Sequence, residues 1–189
     1  MSARSQIVGC AVAGLMTACA AASAENIILN PGFETGDLTH WPHAAIGGSI
    51  SVTQASSHSG AYSVRFTSVN ASTMTILQGV SPTPTEYLSD VSFWYRYGGN
   101  PNAAPATFRI LYTDLTMDSF QTTGTPSSWT RLDVTSLLAA GKSIQQIEVL
   151  AGGQGQHVYV DDVTMSVVPA PGAAALLGFA ATGMRRRRR

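Results

Sequence analysis

Apolar and polar residues alternate along Val91-Ser92-Phe93-Trp94-Tyr95-Arg96-Tyr97, a period of two that places Val91, Phe93, Tyr95 and Tyr97 on one face of a strand and Ser92, Trp94 and Arg96 on the other. Phe108, Ile110 and Tyr112 alternate in the same way with Thr107, Arg109 and Leu111. Short runs of this kind, bounded by Gly, Pro, Asn and Ser, predict strands at Asn26 to Leu29, Ile46 to Gln54, Ala61 to Ser68, Thr73 to Val80, Leu88 to Gly98, Ala106 to Asp114, Trp129 to Val134, Ile144 to Leu150 and His157 to Val167. Only Thr135 to Ala140 reads as helical. About nine strands with period-two burial imply an all-β fold of two antiparallel sheets packed face to face, a jelly-roll sandwich. No internal repeat or long linker divides residues 25–167, so they are read as one domain.

The two ends follow other rules. Arg4 precedes an apolar run from Ile7 to Ala22, and Ala22-Ser23-Ala24 forms a small-residue cleavage site, so residues 1–24 are expected to be a secretory signal peptide cut by signal peptidase before Glu25. Cys10 and Cys19 fall in lipobox-like settings that fit the lipoprotein pattern poorly; both are expected to leave with the signal peptide, so the domain has no disulfide. At the other end Val168-Pro169-Ala170-Pro171 precedes an apolar stretch from Gly172 to Met184 and five arginines. As a helix that stretch is about 20 Å long, short of the ~30 Å hydrocarbon core of a bilayer. The arginines would stay on the cytoplasmic side, leaving the body outside on a transient hydrophobic helix.

Composition agrees with strands: charged residues make up 12% of the chain, too few for long exposed helices. The overall charge of zero conceals a division, because six of the eleven basic residues lie in the two terminal segments. Residues 25–168 keep five cations, Arg65, Arg96, Arg109, Arg131 and Lys142, against eleven acids, a net charge of −6. An acidic body argues against nucleic acid as a partner, and leaves only the terminal segments to meet a membrane.

Two resemblances follow from these residues. The segment 168–189 resembles the sorting tail of PEP-CTERM proteins in having motif, apolar stretch and arginine cluster in that order, although Ala170 stands where the usual motif has Glu. The resemblance implies an exosortase-type sorting protease as partner, and an exported location at the cell surface or outside it. Asn30-Pro31-Gly32-Phe33-Glu34 through Trp41, His58-Ser59-Gly60-Ala61-Tyr62-Ser63-Val64-Arg65-Phe66 and Tyr159-Val160-Asp161-Asp162-Val163 together resemble the galactose-binding-like jelly rolls. That resemblance implies a structural Ca²⁺ ion tying the first strand to the last. Glu34 and Asp161 would supply its carboxylates, with Asp162 as the alternative because strand neighbours point to opposite faces; backbone carbonyls near Asn30 and around His58 to Gly60 would complete the shell.

Trp94, Arg96 and Arg109 form the candidate sugar platform: indole stacks on the C–H face of a pyranose and guanidinium reads hydroxyls, provided both strands lie in one sheet. Packing beneath a loop is the competing role for Trp94, and is the expected one for Trp41 and Trp129. His40 and His43 flank Trp41-Pro42 and read as a surface pair without a third zinc ligand. The chain has no His-Glu-x-x-His, G-x-S-x-G or P-loop motif, so a non-catalytic role is expected. The sequence therefore points to a surface or matrix protein associating with extracellular polysaccharide. A purely structural surface protein and a polysaccharide-acting enzyme are the alternatives.

Overall fold

A computed structural model describes residues 23–99, 104–153 and 156–168. The expected apolar signal run and the tail beyond Val168, with Pro169, Ala170 and Pro171, lie outside the described residues. Nine strands are described, in chain order β1 (Glu25–Asn26), β2 (His43–Thr53), β3 (Ser63–Pro84), β4 (Leu88–Gly99), β5 (Thr107–Tyr112), β6 (Met117–Gln121), β7 (Thr130–Asp133), β8 (Ser143–Gly153) and β9 (Gln156–Val167). Every described pairing is antiparallel. Among the described residues no helix is long and apolar enough to cross a membrane.

The hydrogen-bonded order β6-β5-β8-β3-β9-β4-β7 folds over on itself at β3. Residues 64–68 of β3 pair with β9, while residues 72–84 pair with β8. β2 follows β3 round this corner, with a register irregularity between Ile46 and Gly48. Three strands separate β4 from β5 in that order, which in a flat sheet would hold them about 19 Å apart. The rings of Phe93 on β4 and Phe108 on β5 nevertheless meet at 5.0 Å between centroids, because they face each other across the core. The fold is a two-layer jelly-roll sandwich, with a β9 sheet (β2, the first part of β3, β9, β4, β7 and the short β1) over a β8 sheet (the rest of β3, β8, β5 and β6).

Alternation fills the interior as expected. Val91, Phe93, Tyr95 and Tyr97 from β4 are buried, as are Phe108, Ile110 and Tyr112 from β5, joined by Phe66, Met74, Ile76, Ile147 and Met165. Each large apolar side chain so buried contributes about 1.5–3 kcal/mol. The differences from expectation have physical causes. The two strands expected at Ala61 to Ser68 and Thr73 to Val80 are one, because β2 accompanies the chain through the corner and keeps its backbone paired. The strand β6 is additional: its inward positions are Asp118 and Phe120, and an inward Asp hides the alternation. Asp118 is accommodated by accepting the Tyr112 hydroxyl hydrogen at 2.6 Å, and burial pushes the Tyr112 phenol up to about 12. The expected helix at Thr135 to Ala140 shrinks to a single 3-10 turn at Thr135–Leu137, and β1 spans only Glu25–Asn26.

Candidate functional site

The segment between β2 and β3 ends in a tight turn, residues 56–62, that lies against β9. Three carboxylates hold it. Glu34 accepts the N–H groups of Ala61 (3.1 Å) and Tyr62 (3.0 Å). Asp161 accepts those of His58 (2.7 Å) and Ser59 (3.3 Å) on Oδ2 and that of Asp162 (2.8 Å) on Oδ1. Asp162 takes the His58 ring Nδ1 at 2.6 Å and the Ser59 hydroxyl at 2.8 Å. Gly60 is required at the centre of the turn: its φ is +58°, and a Cβ there would stand 2.4 Å from the Glu34 carboxylate.

Both aspartates reach the same turn, contrary to the expectation that they diverge. Between Ser92 and Trp94 the β4 strand advances two residues while β9 advances three, from Thr164 to Asp161. The extra residue is a β-bulge, with Asp162 at φ +45°. Asp161 is fully buried. Burial foremost pushes its carboxyl up to about 6, opposed by the His58 amide and reinforced by the neighbouring Asp162. The turn presents N–H groups to these carboxylates, where carbonyl oxygens were expected. Among the described residues no group of three His, Cys, Asp or Glu side chains is placed to hold a metal ion.

This turn also closes over Trp94. The His58 imidazole stacks on the indole at 3.8 Å between centroids with 13° between planes, and Trp129 meets the same imidazole edge-on at 5.8 Å. Trp94 thus has one face covered and is half-buried, which corrects its reading as an open platform. Trp41 is wholly buried, its indole donating to the Asn30 carbonyl at 3.0 Å and packing on Phe33, as the packing role predicts. His40 and His43 are exposed.

One register row beyond Trp94, the outer face of the β9 sheet carries Arg96 of β4, Tyr159 of β9 and Arg65 of β3, side by side on adjacent strands. Their neighbours Tyr95, Tyr97, Val158, Val160, Val64 and Phe66 are buried, so all three point outward. The Arg96 guanidinium lies over the Tyr159 ring, 5.6 Å from its centroid, and donates to the Ser56 hydroxyl at 2.8 Å. The Nε atoms of both Arg65 and Arg96 are buried without a hydrogen-bond partner. Arg109 does not join them. It projects from β5 on the outer face of the other sheet, 3.7 Å from Glu148 of β8. The one-face grouping of Trp94, Arg96 and Arg109 is therefore corrected: β4 and β5 belong to different layers. Sequence reasoning missed Tyr159 and Arg65; alternation within β9 and β3 carried their outward direction, but the strand order that joins them to Arg96 did not show. A separate open groove of about 630 Å³, lined by Ile27, Leu29, Val80 and Tyr87 among others, includes none of the nominated residues.

No family model matches the chain, and no curated protein matches it. Solved structures do. TmCBM61, solved in complex with beta-1,4-galactotriose, is similar with a TM-score of 0.54 at 19% identity, over 75% of this chain and 97% of that one. A family 16 carbohydrate-binding module gives 0.56 at 15% identity, over 74% and 99%. The CBM22-1 xylan-binding domain from Paenibacillus barcinonensis Xyn10C gives 0.55 at 15%, over 80% and 99%. The likeness is one of fold. It supports the jelly-roll sandwich expected from the sequence, and at these identities leaves ligand and residue roles to this chain's own geometry.

Proposed function

We propose that this protein is an exported, non-catalytic jelly-roll domain that associates with extracellular polysaccharide through the outer face of its β9 sheet. The observation that carries this is the outward Tyr159 ring beneath the Arg96 guanidinium, a flat aromatic surface and a planar hydrogen-bond donor on rigid neighbouring strands. The aromatic stack of Trp94, His58 and Trp129 borders it. The signal segment would carry the domain out, and the Val168-Pro169-Ala170-Pro171 tail would present it to an exosortase-type protease at the cell surface. A glycan-array screen of the full chain tests the binding: a selective hit lost in Tyr159→Ala supports it, and a blank from folded protein overturns it in favour of a purely structural surface protein. The closure of His58 over Trp94 favours that second reading for the indole itself. Deleting residues 172–189 tests the tail, and unchanged mass and fractionation would remove it as an address.

Calcium belongs to the same proposal. Glu34, Asp161 and Asp162 are hard oxygen donors around one turn, the donor chemistry that Ca²⁺ takes, but they do not stand as a ligand group in the amide-bonded arrangement described, so an ion would have to draw them together. A bound ion would supply positive charge to the acidic cluster and compete with the amides now holding it. Millimolar Ca²⁺ is expected to raise the melting temperature of the full chain and chelator to reverse the rise; identical melting curves would leave the turn to its hydrogen bonds alone.

A further inference from the structure

We infer that the outer face of the β9 sheet selects an acidic polysaccharide, one bearing carboxylate or sulfate groups; the inference rests on the binding reading above and names its substrate class. Among the described residues, Arg109, Arg131 and Lys142 each have a carboxylate within 4 Å, on Glu148, on Asp90 and Asp133, and on Asp114. Arg65 and Arg96 have none, and these two stand either side of Tyr159 in one register row. With two inter-strand steps between them, their Cα atoms are about 10 Å apart. The acid closest in register on this face is Asp161, two positions along β9, and both its oxygens accept amide hydrogens of His58, Ser59 and Asp162. The row is thus a local positive strip on a body whose net charge is −6.

The strip is built as well as charged. A Cβ on Gly98 would come within 3.0 Å of the Tyr159 ring, so the missing side chain lets the ring lie along β4 beside Arg96. The Nε atoms of Arg65 and Arg96 are buried without a partner, so an external anion would be met by the terminal N–H groups of the two guanidiniums. A guanidinium presents parallel N–H groups matched to the two oxygens of a carboxylate or sulfate, and the ring between them offers its π face to the C–H face of a sugar. The body outside the strip is net acidic, which disfavours a highly charged duplex relative to a glycan with spaced charges.

Affinity electrophoresis of the full chain tests this, in gels containing polygalacturonate, chondroitin sulfate, a neutral galactan, carboxyl-reduced polygalacturonate or polyglutamate. Retardation by polygalacturonate or chondroitin sulfate is expected, the two arms distinguishing carboxylate from sulfate. Loss of either guanidinium, in Arg65→Gln or Arg96→Gln, is expected to weaken it by about tenfold or more, as the loss of a charge-assisted hydrogen bond implies. Lys142→Gln should leave it unchanged. Retardation by the neutral and carboxyl-reduced glycans equal to that by the acidic ones overturns the inference while leaving polysaccharide binding intact. Retardation by no glycan overturns both, and equal retardation by polyglutamate reduces the strip to simple ion exchange. The carboxyl-reduced arm uses the unaltered protein, so the test survives an arginine variant that fails to fold.

Discussion

On the outer face of the β8 sheet, Arg109 reaches Glu148 on the neighbouring strand, and Gln146 donates to the same glutamate at 2.7 Å. On the outer face of the β9 sheet, Arg65 and Arg96 flank a tyrosine with no carboxylate within reach, and a loop tied down by three acids covers the next row. Both faces come from the same alternating strand pattern, and both carry arginine at outward positions. They differ in which residues the strand order places alongside. The β8 face closes its own charges, and the β9 face does so only at its β7 edge, where Arg131 pairs with Asp90 and Asp133; Glu34, Asp161 and Asp162 are engaged by the loop, and the Arg65 and Arg96 guanidiniums are left without a carboxylate. Charge segregation within one sheet, with little change in composition, makes one surface inert and the other a candidate for recognition.

Trp94→Ala is the strongest way to break this contrast. The indole supports the turn through its stack with His58, so removing it opens a cavity and frees the imidazole that pairs with Asp162. A loss of about 3 kcal/mol in urea unfolding is expected. If glycan affinity fell while stability held, Trp94 would be part of the binding surface and its covered face would not describe the working state.

Asp161→Asn should have the next largest effect. Its amide nitrogen must face at least one N–H that the carboxylate now accepts, at a cost of about 1–3 kcal/mol. The pH dependence sharpens the reading. The folded-state carboxyl sits at about 6, above its ordinary 3.8, so the folded protein holds this proton more tightly than the unfolded chain. Its contribution is therefore greatest at low pH and declines as pH rises from about 4 to about 6, by an amount of order 2 kcal/mol. The stability difference between wild type and Asp161→Asn should narrow over that interval. A constant difference would mean that Asp161 titrates near its ordinary value, and that its burial is relieved by a cation or by motion of the turn.

The sequence made the strands legible because alternation is local: Phe93 and Phe108 announce their inward direction through their immediate neighbours. It left the layers unread, since nothing local places β3 in both sheets or keeps β4 apart from β5. The grouping of Trp94 with Arg109 failed for that reason, and the row of Arg96, Tyr159 and Arg65 went unseen. The acidic turn was half legible. Glu34, Asp161 and Asp162 were identifiable as one cluster by resemblance, but the bulge that brings both aspartates to one side changes the count of residues between partners on two distant strands. A period-two reading of β9 alone assigns them opposite faces.

The smallest effect belongs to Arg109→Gln, and it bears on the comparison most directly. The Arg109 side chain is 39% exposed and its distance to Glu148, 3.7 Å, is longer than a charge-assisted hydrogen bond, so the pair contributes little against solvent screening. A change below about 0.5 kcal/mol is expected, as for most surface substitutions. Polysaccharide retardation should be unaltered, because the residue lies on the far sheet from Tyr159. If Arg109→Gln weakened retardation as much as Arg96→Gln does, binding would depend on the body's total positive charge and not on the arrangement of one face, and the distinction between the two sheets would carry no functional meaning. If only Arg65→Gln and Arg96→Gln act, two arginines with no carboxylate beside them have been told apart from one that is paired, in a single domain with a common core.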